Sequence, residues 1–194
     1  VAVIDAKMRV QNGSYTGNVI YMSTFSKILA PGLRLAWVIA PPEVIRKLVL
    51  AKQGADLHSP TFNQVVAYEV GRGGFNDQHV QTICQVYHER RDAMLESLSE
   101  HMPEGVTWTH PQGGLFLWLR TPDSVSTVEM FPEAIKKLVA YVPGESFYPN
   151  GGGHNTMRLN FSYCKPALIN EGISRLGSLI KETLVSQHKI YTGV

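Results

Sequence analysis

The stretch YMSTFSKILAPGLRLAW, Tyr21 to Trp37, decides how this chain is read. Two apolar runs of strand length, NVIYMS and LRLAWVIA, overlap its ends, and Pro31-Gly32 breaks the chain between them. Proline followed by glycine is strong turn punctuation. In the break stand Thr24, Ser26 and Lys27, with Arg34 on its far side. A lysine desolvated at the end of a buried strand sheds its proton more easily and then acts as an amine nucleophile toward a carbonyl, which is Schiff-base chemistry. Arg34 brings a planar fork of donors that suits a phosphate dianion. Thr24 and Ser26 supply hydroxyl donors for the other phosphate oxygens. Together these residues describe a pocket for a phosphorylated aldehyde. They equally suit a lysine snorkelling at a strand end beside a surface arginine, and spacing alone leaves both readings open.

Working outward, VAVID at Val1 to Asp5 reads as a third apolar, β-branched strand. Such runs, bounded by turn residues, are expected of strands buried in the sheet of an α/β layer. A strand of this kind needs neighbours, so a chain that opens on one reads as a piece of a longer protein. Helical patterns follow. PPEVIRKLVLAKQ has Pro42 and Glu43 at a helix start. SPTFNQVVAYEVGRGG offers Ser59 as N-cap, Pro60 at the first helical position and Gly71 as a stop. A longer helix is predicted from about Asn76 to His101, with Val80, Ile83, Tyr87, Met94, Leu95 and Leu98 at three- and four-residue spacing.

From Val106 the chain alternates again: VTWTHP, GGLFLWLR, a helix through TVEMFPEAIKKL, the extended VAYVP, the strand TMRLNFS, and a last helix from Pro166 to about Leu184. That half reads as a small α+β layer with helices on one side. The Gly-rich GRGGFND at Gly71 to Asp77 is the expected joint between the halves. Gly113 and Gly114 open the GGLFLWLR strand where backbone must turn. PGESFYPNGGGHN lacks the strand-to-helix setting of a phosphate loop, so it is read as shaping a site entrance, with Phe147 or Tyr148 as contacts.

Composition limits the alternatives. Of 194 residues, 44% are hydrophobic and 18% charged, with a formal charge of +2 and no block of one sign. This is ordinary for a globular protein and gives no footprint for nucleic acid or an anionic membrane. Neither a bilayer-length apolar run nor a signal peptide is visible, which points to the cytoplasm. Cys84 and Cys164, far apart in predicted helical segments, are expected to be free, buried thiols. The seven histidines show no metal-ligand spacing, so no metal is expected.

STFSKILAPGLRLAWVIAPPEVIRKL closely resembles the cofactor-lysine segment of fold-type-I aminotransferases that use pyridoxal 5'-phosphate, in the subgroup of 2-aminoadipate, kynurenine and aromatic aminotransferases. The likeness continues in order through KQGADLHSPTFNQ, YHERRDAML, HPQGGLFLWL and VPGESFYPNGGGHNTMRLNFS to the final helix. The resemblance implies that Lys27 carries the cofactor as a Schiff base and later moves a proton. It implies that Thr24, Ser26 and Arg34 bind the phosphate, that Asp5 pairs with the ring nitrogen, and that Arg158 pairs with the substrate α-carboxylate. An arginine between Met157 and Leu159 on an apolar strand has an independent case for needing a carboxylate, because a buried charge must be paired; a structural ion pair answers that need as well. The implied fold is α/β: part of a PLP-transferase large domain, with a mixed, mostly parallel sheet, over residues 1–75, then an α+β small domain over 76–194.

The chain departs from the family in DAKMRVQNGSYTG, which has Met8 where the family usually has tyrosine and a shortened interval from Asp5 to Lys27. Full-length family members are about twice as long. The implied reaction moves an amino group between an L-amino acid and a 2-oxo acid, with 2-oxoglutarate/glutamate as the common pair, in a homodimer. The rival is the effector domain of a MocR-type transcription regulator. It resembles the same enzymes and keeps the lysine motif, and an upstream winged-helix segment would mark it.

Overall fold

The Pro31-Gly32 break folds the chain back on itself. In the computed structural model, which describes residues 5, 10–11, 14–15 and 17–192, strand β3 (Tyr21–Thr24) pairs antiparallel with β4 (Ala36–Ile39). Tyr21 lies opposite Ile39 and Thr24 opposite Ala36. A shorter antiparallel pair, β1 (Val10–Gln11) and β2 (Ser14–Tyr15), precedes them. Most of the expected first strand, Val1 to Asp5, lies outside the described residues. Its one described residue, Asp5, has helical backbone, which corrects the expectation at that position. A short apolar run cannot be assigned to strand or helix by periodicity alone.

The chain divides into two compact units, Val1–Thr82 and Ile83–Val194. In the first, α1 (Pro42–Ala55) starts on proline, carries Glu43 in its first turn, and ends with Lys52 paired to Asp56 at 2.9 Å. Helix α2 (Thr61–Gly71) begins one residue later than expected, with Pro60 itself in extended backbone at the N-cap and no side-chain cap from Ser59. The strands form as expected but are not buried. Met22 is 73% exposed, and Phe62 and Tyr68 on α2 also face outward. A two-stranded sheet has no flanking strands to enclose it, whereas burial of such strands requires cover on both faces.

The second unit holds the main core. Helix α3 (Phe75–His101) enters it across the unit boundary. Its sheet has the order β5 (Thr107–Trp108), β6 (Phe116–Arg120), β8 (Thr156–Asn160), β7 (Val142–Pro143), all antiparallel. Alternation along β6 and β8 turns Leu117, Leu119, Met157 and Leu159 inward, where they cluster with Leu98 of α3 and Ile173, Leu176 and Ile180 of α5 (Pro166–Thr192). Helix α5 continues beyond the Leu184 end expected from its apolar face. Helix α4 (Thr127–Lys136) is capped by Ser126, whose side chain accepts from the Glu129 amide. Buried Tyr141 donates to the Thr127 carbonyl at 2.6 Å, and burial raises its phenol pKa well above the ordinary range.

Both cysteines are free, but Cys84 is exposed and Cys164 half-exposed, which corrects the expectation of buried thiols. Cys84 falls on the outer side of α3, a position that its residue type does not reveal. Among the described residues no helix is long and apolar enough to cross a membrane, and no group of three or more His, Cys, Asp or Glu is placed to hold a metal ion.

Candidate functional site

The hairpin gathers the lysine motif at one end. Since Thr24 pairs with Ala36, the residues just beyond it, Phe25 to Leu35, form the connecting loop. The Phe25 amide donates to the Leu35 carbonyl at 3.1 Å and closes the neck. Leu29 and Ala30 then donate to the Phe25 carbonyl, winding Ser26 and Lys27 into a tight turn. Thr24 Oγ1 lies 3.0 Å from both the Leu35 carbonyl oxygen and Ser26 Oγ, and its one hydrogen can go to either. It also accepts from the Ser26 amide at 3.1 Å.

Arg34 follows a 3₁₀ turn, Pro31–Leu33, and takes left-handed backbone with φ 51°. That conformation is uncommon for a residue with a Cβ, and such strain concentrates at functional positions. Nη1 donates to the Pro31 carbonyl at 3.0 Å, and no further bond of the guanidinium is made among the described residues. The turn is braced from α2, where Asn63 Nδ2 donates to the Leu33 carbonyl at 3.1 Å. Asn63 escaped sequence reading because its partner is thirty positions away, and no local pattern signals such a bond.

Lys27 and Arg34 are both exposed. They share the hairpin end, where both stand open to solvent among the described residues. A cavity of the first unit, about 660 Å³, is lined instead by Phe25, Leu35, Ala36, His58, Gln64 and Tyr68 among others. The desolvated lysine expected from the apolar sequence is therefore not found in this chain alone, for the same reason that the strands beside it are uncovered. As a donor set, two adjacent hydroxyls, a guanidinium and a primary amine carried on one hairpin end suit a phosphorylated aldehyde. Asp5 is half-buried.

Arg158 lies in the second unit, on the sheet face opposite the core. Register sets it across from Trp118 of β6 and Val142 of β7. Its guanidinium carbon is 4.1 Å from the Phe116 ring centroid and 5.0 Å from that of Phe147. Trp118 meets the edge of Phe147 at 5.3 Å and tilts against Tyr148 at 6.4 Å. Among the described residues Arg158 has no acidic partner, and its buried Nε makes no hydrogen bond. Among the described residues the structural ion pair left open by the sequence is not made, and aromatic rings lie against the guanidinium. Phe116 and Trp118 escaped sequence reading as site residues because they alternate with core leucines, and only the register brings them to Arg158.

A family model for aminotransferase class I and II matches residues 3–176. The aromatic-amino-acid aminotransferase 1 of Thermococcus litoralis is 51% identical over 87% of this chain and 40% of its own length. The crystal structure of Pyrococcus horikoshii kynurenine aminotransferase, in complex with PMP, is 51% identical, with TM-score 0.83 over 90% of this chain and 42% of that one. The α-aminoadipate aminotransferase LysN of Thermus thermophilus, complexed with N-(5'-phosphopyridoxyl)-L-leucine, is 44% identical with TM-score 0.82, over 86% of this chain and 43% of that one. At 34% identity the chain also matches the uncharacterized HTH-type transcriptional regulator YdfD of Bacillus subtilis, over 86% of this chain and 34% of the relative. The chain thus spans less than half the length of these relatives, and it belongs to the aminotransferase class I and II family.

Proposed function

We propose that the whole protein containing this chain is a pyridoxal 5'-phosphate-dependent aminotransferase that moves an amino group between an L-amino acid and a 2-oxo acid, with glutamate and 2-oxoglutarate as the common pair. The observation that carries this reading is the meeting of Thr24, Ser26, Lys27 and Arg34 at one end of the β3–β4 hairpin, in a chain of this family. Relatives complexed with PMP and a phosphopyridoxyl amino acid support the cofactor. Residues 1–75 are assigned to the cofactor-binding large domain and 76–194 to the small domain.

When bound, the cofactor supplies an aldehyde that captures amino groups and a ring that takes up the electron pair of a broken bond at the α-carbon. The residues of this chain bind, orient and move protons. Arg34 and the Thr24 and Ser26 hydroxyls hold the phosphate through charge-assisted hydrogen bonds. Lys27 Nζ would hold the cofactor through its aldehyde carbon and, when free, would take the α-carbon proton as a general base. Asp5 pairs with the ring nitrogen, and Arg158 grips the substrate α-carboxylate. Each of these assignments combines the family likeness with the donor chemistry of the side chain.

The test uses full-length protein incubated with pyridoxal 5'-phosphate and reduced with borohydride, followed by peptide mass spectrometry. The expected product is a phosphopyridoxyl adduct on the peptide holding Lys27, absent in Lys27→Ala. An adduct on a different lysine, or none, refutes the assignment. The similarity to an HTH-type regulator keeps a second reading, a cofactor-binding effector domain of MocR type. A winged-helix segment in the full-length protein, together with cofactor binding but no amino-group transfer, would favour it.

A further inference from the structure

Arg158 rests on aromatic rings where an arginine of a packed domain ordinarily meets an acid. Alternation along β6 puts Phe116 and Trp118 on the face that carries Arg158, and the Phe116 ring centroid is 4.1 Å from the guanidinium carbon. Phe147 approaches at 5.0 Å from the 3₁₀ turn Gly144–Phe147. A cation over an aromatic ring is attracted through the ring face, and this attraction uses none of its N–H donors. An acid in the same place would neutralise the guanidinium and occupy its fork. The rings therefore hold the cation while leaving it hungry for an anion. Because Nε is shut away from solvent and unbonded, an incoming carboxylate meets the Nη1 and Nη2 end of the fork.

We propose that Phe116, assisted by Phe147, is a positioning residue: its ring face fixes the Arg158 guanidinium so that Nη1 and Nη2 present themselves end-on to the substrate carboxylate. This rests on the reading of Arg158 as the carboxylate clamp. Phe116 is the better position to test, since Phe147 stands on a turn that can itself touch substrate. Phe116→Leu keeps apolar bulk and removes the ring face, whereas Phe116→Tyr keeps the face.

The probe is 3-phenylpropionate, a carboxylate with no amino group to react, titrated calorimetrically into the full-length holoenzyme. Phe116→Leu is expected to weaken its binding by about two- to thirtyfold, the range of a partly desolvated cation–π contact. The amino-acid KM should rise by a similar factor with kcat little changed, and Phe116→Tyr should restore both. Arg158→Ala should weaken the probe more strongly, and adding Phe116→Leu to it should do nothing further. If Arg158→Ala binds the probe as the parent does, the clamp reading fails and the proposal falls with it. If Arg158→Ala weakens binding but Phe116→Leu does not, or if Phe116→Leu weakens binding equally without Arg158, the positioning role is refuted and the clamp stands. Phe116→Met carries the same expectations and replaces Phe116→Leu should the latter fold poorly.

Discussion

Replacing Gly144 by alanine should destabilise the second unit sharply, through a contact visible only in three dimensions. Gly144 opens the 3₁₀ turn that carries Phe147, and it is buried against β8. A Cβ there would stand 1.9 Å from Thr156 Oγ1 and 2.9 Å from both Thr156 Cβ and the Thr156 carbonyl oxygen. Rotating the threonine away breaks its 2.7 Å bond to the Gly153 carbonyl and strands a hydroxyl in a residue with 0% exposure. Leaving such a group unsatisfied costs about 1–3 kcal/mol. The remaining contacts involve Cβ and backbone, so the turn must also shift, and overpacking of this kind costs a further ~1–3 kcal/mol.

The sum is roughly 2–6 kcal/mol, which for a chain of this size lowers the unfolding midpoint by on the order of 10 °C. Differential scanning calorimetry of the parent, Gly144→Ala, Thr156→Ala and the double variant measures it. Thr156→Ala removes the 1.9 Å clash, so the second substitution should cost less in that background, with a coupling of about 1 kcal/mol or more. A Gly144→Ala midpoint within about 2 °C of the parent, or an equal cost in both backgrounds, would refute the reasoning.

Asn63→Ala removes the side-chain bond to the Leu33 carbonyl. It should loosen the loop ahead of Arg34 and weaken pyridoxal 5'-phosphate binding about three- to tenfold, the worth of one net hydrogen bond, as read by cofactor titration; unchanged affinity would remove Asn63 from the site. On α3, hydrogen bonding from Arg91 and the nearby charges of Arg91 and His88 hold the Asp92 carboxyl below its ordinary 3.8. A carboxylate depressed in the folded state adds stability above its unfolded pKa and loses it as pH falls through the folded value. Acid titration followed by NMR should therefore place Asp92 below 3.8, and Arg91→Ala should bring it back toward that value.

Much of the fold was legible locally. The two apolar runs marked strands β3 and β4 and Pro31-Gly32 the turn between them, though not their antiparallel pairing, and three- and four-residue spacing marked α3 to within a residue of its start. The helix expected through TVEMFPEAIKKL forms as α4. These features depend on a residue and its near neighbours along the chain, so composition and period suffice to specify them. Burial was less legible. Strands β3 and β4 looked interior and are largely open to solvent, because cover comes from other elements and not from the run itself.

The sequence by itself determined the lysine motif, the donor chemistry of Thr24, Ser26, Lys27 and Arg34, and the helices and strands that carry them. Tertiary structure decided what each reactive group faces. The β6–β8 register lays aromatic rings against Arg158, α2 sends Asn63 to the loop before Arg34, and the close approach of a turn to Thr156 demands glycine at position 144. The physical reason is range: a turn or helix is fixed by bonds within a few residues, whereas a partner a dozen or more positions away is fixed only when packing brings the two together.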